Sequence, residues 1–270
     1  MTASNLRQHS PFIQTCAALH LVALIMFLLW PTGWIWIVAS LFFLHLLIAV
    51  AGLLPTCAWL GPNMTRLPNN AAARGEIAIT IDDGPDPQIT PQVLQILRAH
   101  SARATFFCIG ERAHAHADVC RDIIAAGHTI ENHGQRHRTF TALFGPRGWH
   151  REIVDAQQTL EHMAGSAPQF FRPIAGLRNP FLEPLLQRLG LRLVSWTRRG
   201  YDTRANDPAR VYEKLTRDLR GGDILLLHDG NAARSAQGTP IILDVLPRLL
   251  DELTRRNLKT VTLRDACTVS

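Results

Sequence analysis

The sequence predicts an α/β protein in which a barrel of strands and helices follows two apolar helices. Two long apolar runs occupy the first seventy residues, strand-like and helix-like stretches alternate from residue 76 onwards, and polar residues follow the predicted strand ends. Repeated βα units favour a parallel sheet. About 195 residues are enough for one closed or nearly closed barrel of seven strands as a single domain.

The apolar runs cover residues 12–30 and 34–54, and no charged side chain occurs between Arg7 and Arg66. Each run is about as long as a bilayer-spanning helix. A secretory signal would be shorter and would not be followed at once by a second apolar run, so we predict a retained transmembrane hairpin. We therefore divide the chain into a hairpin (1–60), a linker rich in proline and asparagine (61–75) and a catalytic domain (76–270).

Two spans return the chain to the side on which it starts. Arg7, Arg66 and Arg74 then lie together, and the positive-inside tendency places them and the domain on the cytoplasmic face of the inner membrane. If only one run spans the bilayer, the domain lies on the opposite face.

The net charge of +6 comes from scattered arginines without interleaved aromatic residues. This distribution favours contact with anionic membrane lipid over nucleic-acid binding. The five cysteines form no CxxC pair or regular spacing, which is typical of free thiols in a reducing compartment. No protein partner is predicted.

The domain carries alternating element signals along its length. Strands are expected at 76–81, 104–109, 128–133, 169–172, 191–196, 223–228 and 258–263, and helices at 91–100, 110–126, 148–163, 179–189, 207–219 and 239–256. Functional residues of βα barrels collect at the C-terminal strand ends. Those ends carry Asp82-Asp83, His133 with His137, Arg172, Trp196 followed by Asp202, and His228.

Two of these motifs suggest a metal. Asp82 and Asp83 would repel each other when ionised, so a fold that buries both needs a cation or a shared proton, although Asp-Asp-Gly-Pro is also good turn chemistry. His133 and His137 are one helical turn apart, which lets both face one cation, although two surface histidines have the same spacing. Two imidazoles and one carboxylate leave open positions for water and substrate, as in catalytic zinc sites.

Taken together, these motifs resemble the polysaccharide deacetylase family, also called carbohydrate esterase family 4. The matching stretches are Asp82-Asp83, HGQRH (133–137), RPIAG (172–176), Trp196 to Asp202 and LLLH (225–228), in that order. The resemblance covers residues 76–265 and implies a distorted (β/α)7 barrel. It also implies metal-assisted removal of an N- or O-acyl group from a sugar.

The resemblance implies a role for each site residue. Asp83, His133 and His137 would bind a divalent metal, with zinc expected; Asp82 would be the general base, held by Arg172 and Asp202; His228 would be the general acid; the Ala175 backbone would contact the oxyanion and Trp196 the substrate. Ala175 and Thr203 stand where the family usually has aromatic residues, and Gly134 where it has a hydroxyl. The departures reduce the surface on which a long glycan would stack.

The expected activity is therefore hydrolysis of an acetyl or formyl amide, or of an O-acetyl ester, on a sugar at a membrane. The partner would be an acylated amino sugar or a lipid-linked sugar. One alternative is a deacetylase of an extracytoplasmic polysaccharide. Two others are a non-catalytic sugar-binding domain on the same scaffold and a non-haem iron oxygenase, because two histidines and a carboxylate also describe that site.

Overall fold

The computed structural model of the protein describes residues 10–268. It begins with two apolar helices, α1 (Pro11–Leu29) and α2 (Trp34–Leu53), joined by a single 3-10 turn at Pro31–Gly33. Both are long and apolar enough to cross a membrane, by length and composition. The rings of His20 and His45 meet edge to face between the helices, with centroids 5.1 Å apart.

Eight strands and nine further helices follow in the described part of the chain. The strands are β1 (Glu76–Asp82), β2 (Ala104–Cys108), β3 (Thr129–Asn132), β4 (Phe170–Phe171), β5 (Arg192–Leu193), β6 (Arg198–Arg199), β7 (Ile224–His228) and β8 (Lys259–Thr260). The helices are α3 (Asn69–Ala73), α4 (Thr90–Ala99), α5 (Gly110–Ala115), α6 (Ala117–Ala125), α7 (Pro146–Ala164), α8 (Leu182–Leu189), α9 (Pro208–Thr216), α10 (Ile241–Arg255) and α11 (Leu263–Thr268).

The strands form one parallel sheet in the order β5-β4-β3-β2-β1-β7-β6, and β8 pairs with the start of β1. Side chains on a strand alternate between its two faces. In β1, Ile77, Ile79 and Ile81 pack outward against the helices, whereas Ala78, Thr80 and Asp82 face the barrel interior. This alternation places Asp82 on the inner face, at the end of the barrel where the C-terminal ends of the strands meet. That end is called the mouth below.

The stretch 191–196, predicted as one strand, contains the two-residue strand β5 and a bridge at Val194, and a second two-residue strand, β6, follows just beyond it. β5 pairs with β4, and β6 pairs with β7, so the chain crosses the barrel opening between them. The crossing is held on one side by Val194 N–H, which donates to Phe171 O at 3.0 Å, and on the other by Thr197 N–H, which donates to Ile224 O at 2.8 Å. A change of pairing partner leaves no periodicity signal, which explains why the eighth strand was not predicted.

Residues 61–75, interpreted from composition as a linker, pack into this opening. Met64 N–H donates to Leu193 O at 3.0 Å, and Leu67 N–H donates to Gly222 O at 2.9 Å. Leu67 is buried in the inner core. The segment thus bridges the strands on either side of the opening.

The end of α2 touches the loop between β4 and α8. Arg178 N–H donates to Gly52 O at 3.1 Å, and the Ser195 hydroxyl donates to Pro55 O at 2.6 Å. Gly176 lies in the left-handed region (φ 73°), where a Cβ atom would come within 2.5 Å of Pro55 Cβ. Only glycine fits this close approach between the hairpin end and the loop.

Candidate active site

Strand register brings the two residues predicted as base and acid together. Asp82 at the end of β1 pairs in register with His228 at the end of β7. Neighbouring strands are about 4.8 Å apart, and residues in register point to the same face. Both side chains are almost completely buried. They therefore lie side by side at the inner edge of the mouth.

Asp83, His133 and His137 converge beside this pair. The ligand atoms of the three side chains lie within 4.8 Å of one another. Asp83 Oδ1 is 3.1 Å from His133 Nε2 and 2.8 Å from His137 Nε2. Asp83 and His133 are buried, whereas the side chain of His137 is 23% exposed, so the cluster opens towards solvent on one side.

The hydrogen bonds of His133 indicate a cation at this cluster. Its Nδ1 lies 2.7 Å from the carbonyl oxygen of Arg172, which can only accept, so Nδ1 carries a hydrogen. In the neutral ring the Nε2 lone pair then faces the Asp83 carboxylate, an unfavourable contact that a proton or a bound cation would relieve. Burial lowers the pKa of His133, but the charges of Asp82 and Asp83 raise it above its ordinary value. A proton or a metal ion meets this need, and the donor set of two imidazoles and a carboxylate fits divalent zinc.

The same contacts act on Asp83. Burial would raise the pKa of this carboxyl, but hydrogen bonds from His133 and His137 hold it well below its usual range. Asn231 Nδ2 donates to Asp83 Oδ2 at 3.0 Å, and Arg112 Nη1 donates to the Asp83 carbonyl at 2.7 Å. The carboxylate is therefore ionised and fixed, as a metal ligand must be.

Arg172 holds Asp82 as expected. Its side chain is fully buried, and Nη1 donates to Asp82 Oδ1 at 2.6 Å and to Thr80 Oγ1 at 2.8 Å. Nη2 donates to the Ser195 carbonyl at 2.8 Å, and the guanidinium lies 4.1 Å from the Phe107 ring centroid. One oxygen of Asp82 is thus occupied, and the other, Oδ2, lies 3.9 Å from His133 Nε2, on the side of the cluster formed by Asp83, His133 and His137.

Asp202 contacts His228 rather than Asp82, which corrects the contact expected from the sequence. Asp202 Oδ1 is 2.8 Å from His228 Nδ1, and Oδ2 accepts from the His228 backbone N–H at 2.7 Å. Asp202 follows β6, which pairs with β7, so it meets the end of β7. Burial lowers the pKa of His228, but the hydrogen bond and charge of Asp202, together with the charges of Asp82 and Asp83, raise it to about 9. The histidine is therefore protonated near neutral pH.

Ala175 and Trp196 lie at the same mouth in different environments. Ala175 is exposed in the 3-10 turn Ile174–Gly176 and has a left-handed backbone (φ 52°). Trp196 is only 7% exposed, and the Arg172 and Arg199 guanidiniums lie 5.9 and 5.2 Å from its ring. The Trp196 ring is therefore packed mainly against side chains of the barrel.

Supporting residues were missed from the sequence. Arg112 and Asn231 fix Asp83, and Glu152 Oε1 accepts from the backbone N–H groups of Arg136 and His137 at 2.7 and 3.1 Å. Each acts from a helix or loop distant in sequence, so no local pattern marks it. Glu152 fixes the loop that carries the exposed histidine.

Strained backbone also concentrates here. Five of the eight described non-glycine residues with positive φ lie at the mouth: Asp83, His137, Ala175, Tyr201 and Asn231. Such conformations cost roughly 1–3 kcal/mol each and persist where the surroundings impose them. This concentration of strain around Asp83, His137 and Ala175 is typical of a functional site.

Comparisons with known proteins agree with this geometry. A family model described as polysaccharide deacetylase matches residues 69–194. A peptidoglycan-N-acetylglucosamine deacetylase of Bacillus cereus is 32% identical over 201 residues, covering 74% of this chain and 90% of the relative. The chain belongs to the polysaccharide deacetylase family. A chitooligosaccharide deacetylase of Azorhizobium caulinodans is 37% identical over 158 residues, covering 58% of this chain and 75% of that protein.

A crystal structure of the Bc1960 peptidoglycan N-acetylglucosamine deacetylase superposes with a TM-score of 0.69 at 25% identity, covering 77% of this chain and 94% of that one. The predicted fold class is therefore confirmed: a curled parallel sheet with surrounding helices, as in the (β/α)7 fold of the family, preceded by two apolar helices. This polysaccharide deacetylase family member is a carbohydrate deacetylase, a hydrolase of amide bonds.

Proposed function

We propose that the chain is a membrane-anchored, metal-dependent deacylase of an acylated amino sugar. The observation that carries the proposal is the hydrogen bond from His133 to the Arg172 carbonyl, because it turns Nε2 towards Asp83 and calls for a cation. Asp83, His133 and His137 would hold a divalent metal, with zinc expected. When bound, the metal would act as a Lewis acid that polarises the acyl oxygen and lowers the pKa of a coordinated water.

The flanking residues carry the proton transfers. Asp82 accepts a proton from the attacking water through Oδ2, while Arg172 holds its other oxygen. The hydroxyl oxygen bonds to the acyl carbon, and the backbone N–H at Ala175 is offered to the developing oxyanion. The carbon–nitrogen bond then breaks as His228 protonates the nitrogen through Nε2, and Asp202 orients the ring through Nδ1. The products are a free amine and a carboxylate.

Membrane attachment is supported by the two apolar helices and by where they end. The end of α2 meets the loop that contains Ala175, through Gly52 and Pro55. The mouth therefore lies close to the hairpin. We propose that the substrate is held in the same membrane, as a lipid-linked sugar, because tethering raises the effective concentration of anything else in that bilayer. The positive-inside tendency of the arginines favours the cytoplasmic face.

The first test uses the full chain purified in detergent, stripped of metal and reloaded with zinc. We expect acid release from an N-acylated amino sugar to need the metal. His133→Ala and His137→Ala should each lose at least about tenfold in zinc affinity by elemental analysis and titration. His150→Ala, an exposed histidine on α7, is the matched control. Full zinc occupancy in both ligand variants would refute the site.

The second test compares lipid-linked and soluble forms of one acylated sugar with the full chain in bilayers. Faster acyl release from the lipid-linked form supports the proposal. Faster release from soluble oligomers, or a reporter at the C-terminus that lies outside the cytoplasm, would contradict the lipid-linked substrate and favour an external polysaccharide. Sugar binding without acyl release would favour a non-catalytic domain, and turnover that requires dioxygen would favour an oxygenase.

A further inference from the structure

A basic cleft lies between α7 and α8, outside the catalytic cluster. It has a volume of about 730 Å³, within the range of ligand sites in proteins. Its charged lining is Arg147, His150 and Arg151 on α7 and Arg188 on α8, and its apolar lining includes Phe181 and Leu185. The name basic cleft is used below for these six residues.

The arginines of the basic cleft have no partner among the described residues. Arg147, Arg151 and Arg188 make no side-chain hydrogen bond or ion pair there, as is also true of exposed arginines such as Arg98, but these three line one cavity. Guanidinium groups bind phosphate oxygens strongly, often through two parallel hydrogen bonds. Three free guanidiniums around one cavity are therefore suited to a phosphate group.

The cleft opens on the catalytic face. In a βα unit the helix starts at the end where the preceding strand stops, and α7 and α8 follow β3 and β4. Arg147, His150 and Arg151 lie in the first two turns of α7, and Phe181 immediately precedes α8, whereas Arg188 lies in the last turn of α8. Arg151 also lines a second cavity with Arg136 and Arg138, the neighbours of His137. This second cavity, whose lining also includes Glu152 and Asp155, extends from Arg151 to the residues beside His137.

The surroundings favour a lipid over a soluble anion. Phe181 is 51% exposed inside the cleft, and the adjacent turn presents Phe140 and Leu143, which are 70% and 81% exposed. Asn179 fixes that turn through bonds of 2.9 and 2.8 Å to two of its carbonyls. Phe181 follows Arg178, which contacts the end of α2, by three residues, at most about 10 Å of chain. Apolar side chains beside free arginines, close to a membrane helix, match the boundary between headgroups and acyl chains.

We propose that the basic cleft binds the phosphate of an anionic bilayer phospholipid, with the start of the acyl chains over Phe181 and Leu185. The catalytic face is thereby held against the membrane surface. This inference rests on the membrane location proposed above.

The test is native mass spectrometry of the zinc-loaded full chain in detergent, titrated with dioctanoyl phosphatidylglycerol. One lipid should bind, at least about tenfold more tightly than inorganic phosphate or uncharged dioctanoylglycerol. Replacing Arg147, Arg151 and Arg188 together by glutamine should weaken binding at least about tenfold. The control replaces Arg98, Arg121 and Arg220, three exposed arginines outside the cleft, and should leave it unchanged.

Circular dichroism and zinc content verify that both triple variants fold. Unchanged lipid affinity in the cleft variant overturns the proposal, as does equal affinity for inorganic phosphate or for the uncharged lipid. Carbonate extraction of membranes that contain the full chain tests the anchor separately. Release of the chain would refute membrane integration, whereas a retained chain without lipid binding would refute the basic cleft alone.

Discussion

Replacing Arg172 by methionine tests the buried ion pair that supports the catalytic base. The guanidinium is fully buried, lies 2.6 Å from Asp82 and donates to Thr80 and Ser195 as well. Removing one partner of a buried pair leaves an uncompensated charge and costs about 3–5 kcal/mol. In a domain of this size each kcal/mol lowers the melting midpoint by about 2–4 °C, so a fall of roughly 6–20 °C is expected.

The matched control is Arg198→Met. Arg198 also pairs with a fully buried aspartate, Asp223, at 2.8 Å, but Asp223 keeps Arg66 at 2.6 Å when Arg198 is removed. The control should therefore lose only about 1–3 kcal/mol, the cost of hydrogen bonds from a charged donor. Both variants remove one positive charge. They differ in whether the buried aspartate keeps a second guanidinium as its partner.

The assay is thermal unfolding of the full chain in detergent, followed by near-ultraviolet circular dichroism. A second variant, Arg172→Met with Asp82→Asn, removes both charges and should recover at least half of the lost stability. If Arg172→Met is no more destabilised than Arg198→Met, or if the double variant is no more stable than Arg172→Met, Arg172 does not compensate the charge of Asp82.

Three further predictions concern the titrating groups. Asp82→Asn and His228→Ala should each lower kcat by roughly two to four orders of magnitude with zinc retained, as measured by acid release and elemental analysis. Against the lowering effect of burial, Asp202, Asp82 and Asp83 together raise the pKa of His228 to about 9, and the proposed acid role needs the protonated ring, so Asp202→Asn should move the alkaline fall of the pH–rate profile to lower pH. An unmoved alkaline limb would separate His228 from the acid role. Burial raises the pKa of Asp229 from 3.8 to about 7, so the folded state binds the extra proton and loses stability as pH rises through that window. Asp229→Asn should flatten the dependence of the melting midpoint on pH between about 4 and 7, and an unchanged slope would contradict this.

The strand ends were predictable because local chemistry marks them. β1 is a short isoleucine-rich run that stops at two carboxylates, and β7 is a leucine run that stops at His228. Parallel pairing then brings such ends to one mouth whatever the loops do. For this reason the positions of Asp82, Asp83, His133 and Arg172 follow from pattern and topology together.

Partner choice within the mouth was not predictable in the same way. Asp202 was expected beside Asp82, yet it meets His228, because β6 is a two-residue strand whose pairing with β7 has no sequence signal. Arg112, Asn231 and Glu152 reach the site from separate elements. Contacts that depend on the packing of distant elements leave no characteristic residue spacing in the sequence.

The junction between the hairpin and the domain joins two features that the sequence treats as separate. Composition identifies 61–75 as a linker, but Met64 and Leu67 bond to the sheet, and Pro55 packs on Gly176. A flexible linker would let the anchor and the active site move independently. Here the chain that leaves α2 packs against the loop that contains Ala175 and then fills the barrel opening. The contacts that complete the sheet therefore also set the position of the mouth relative to the hairpin.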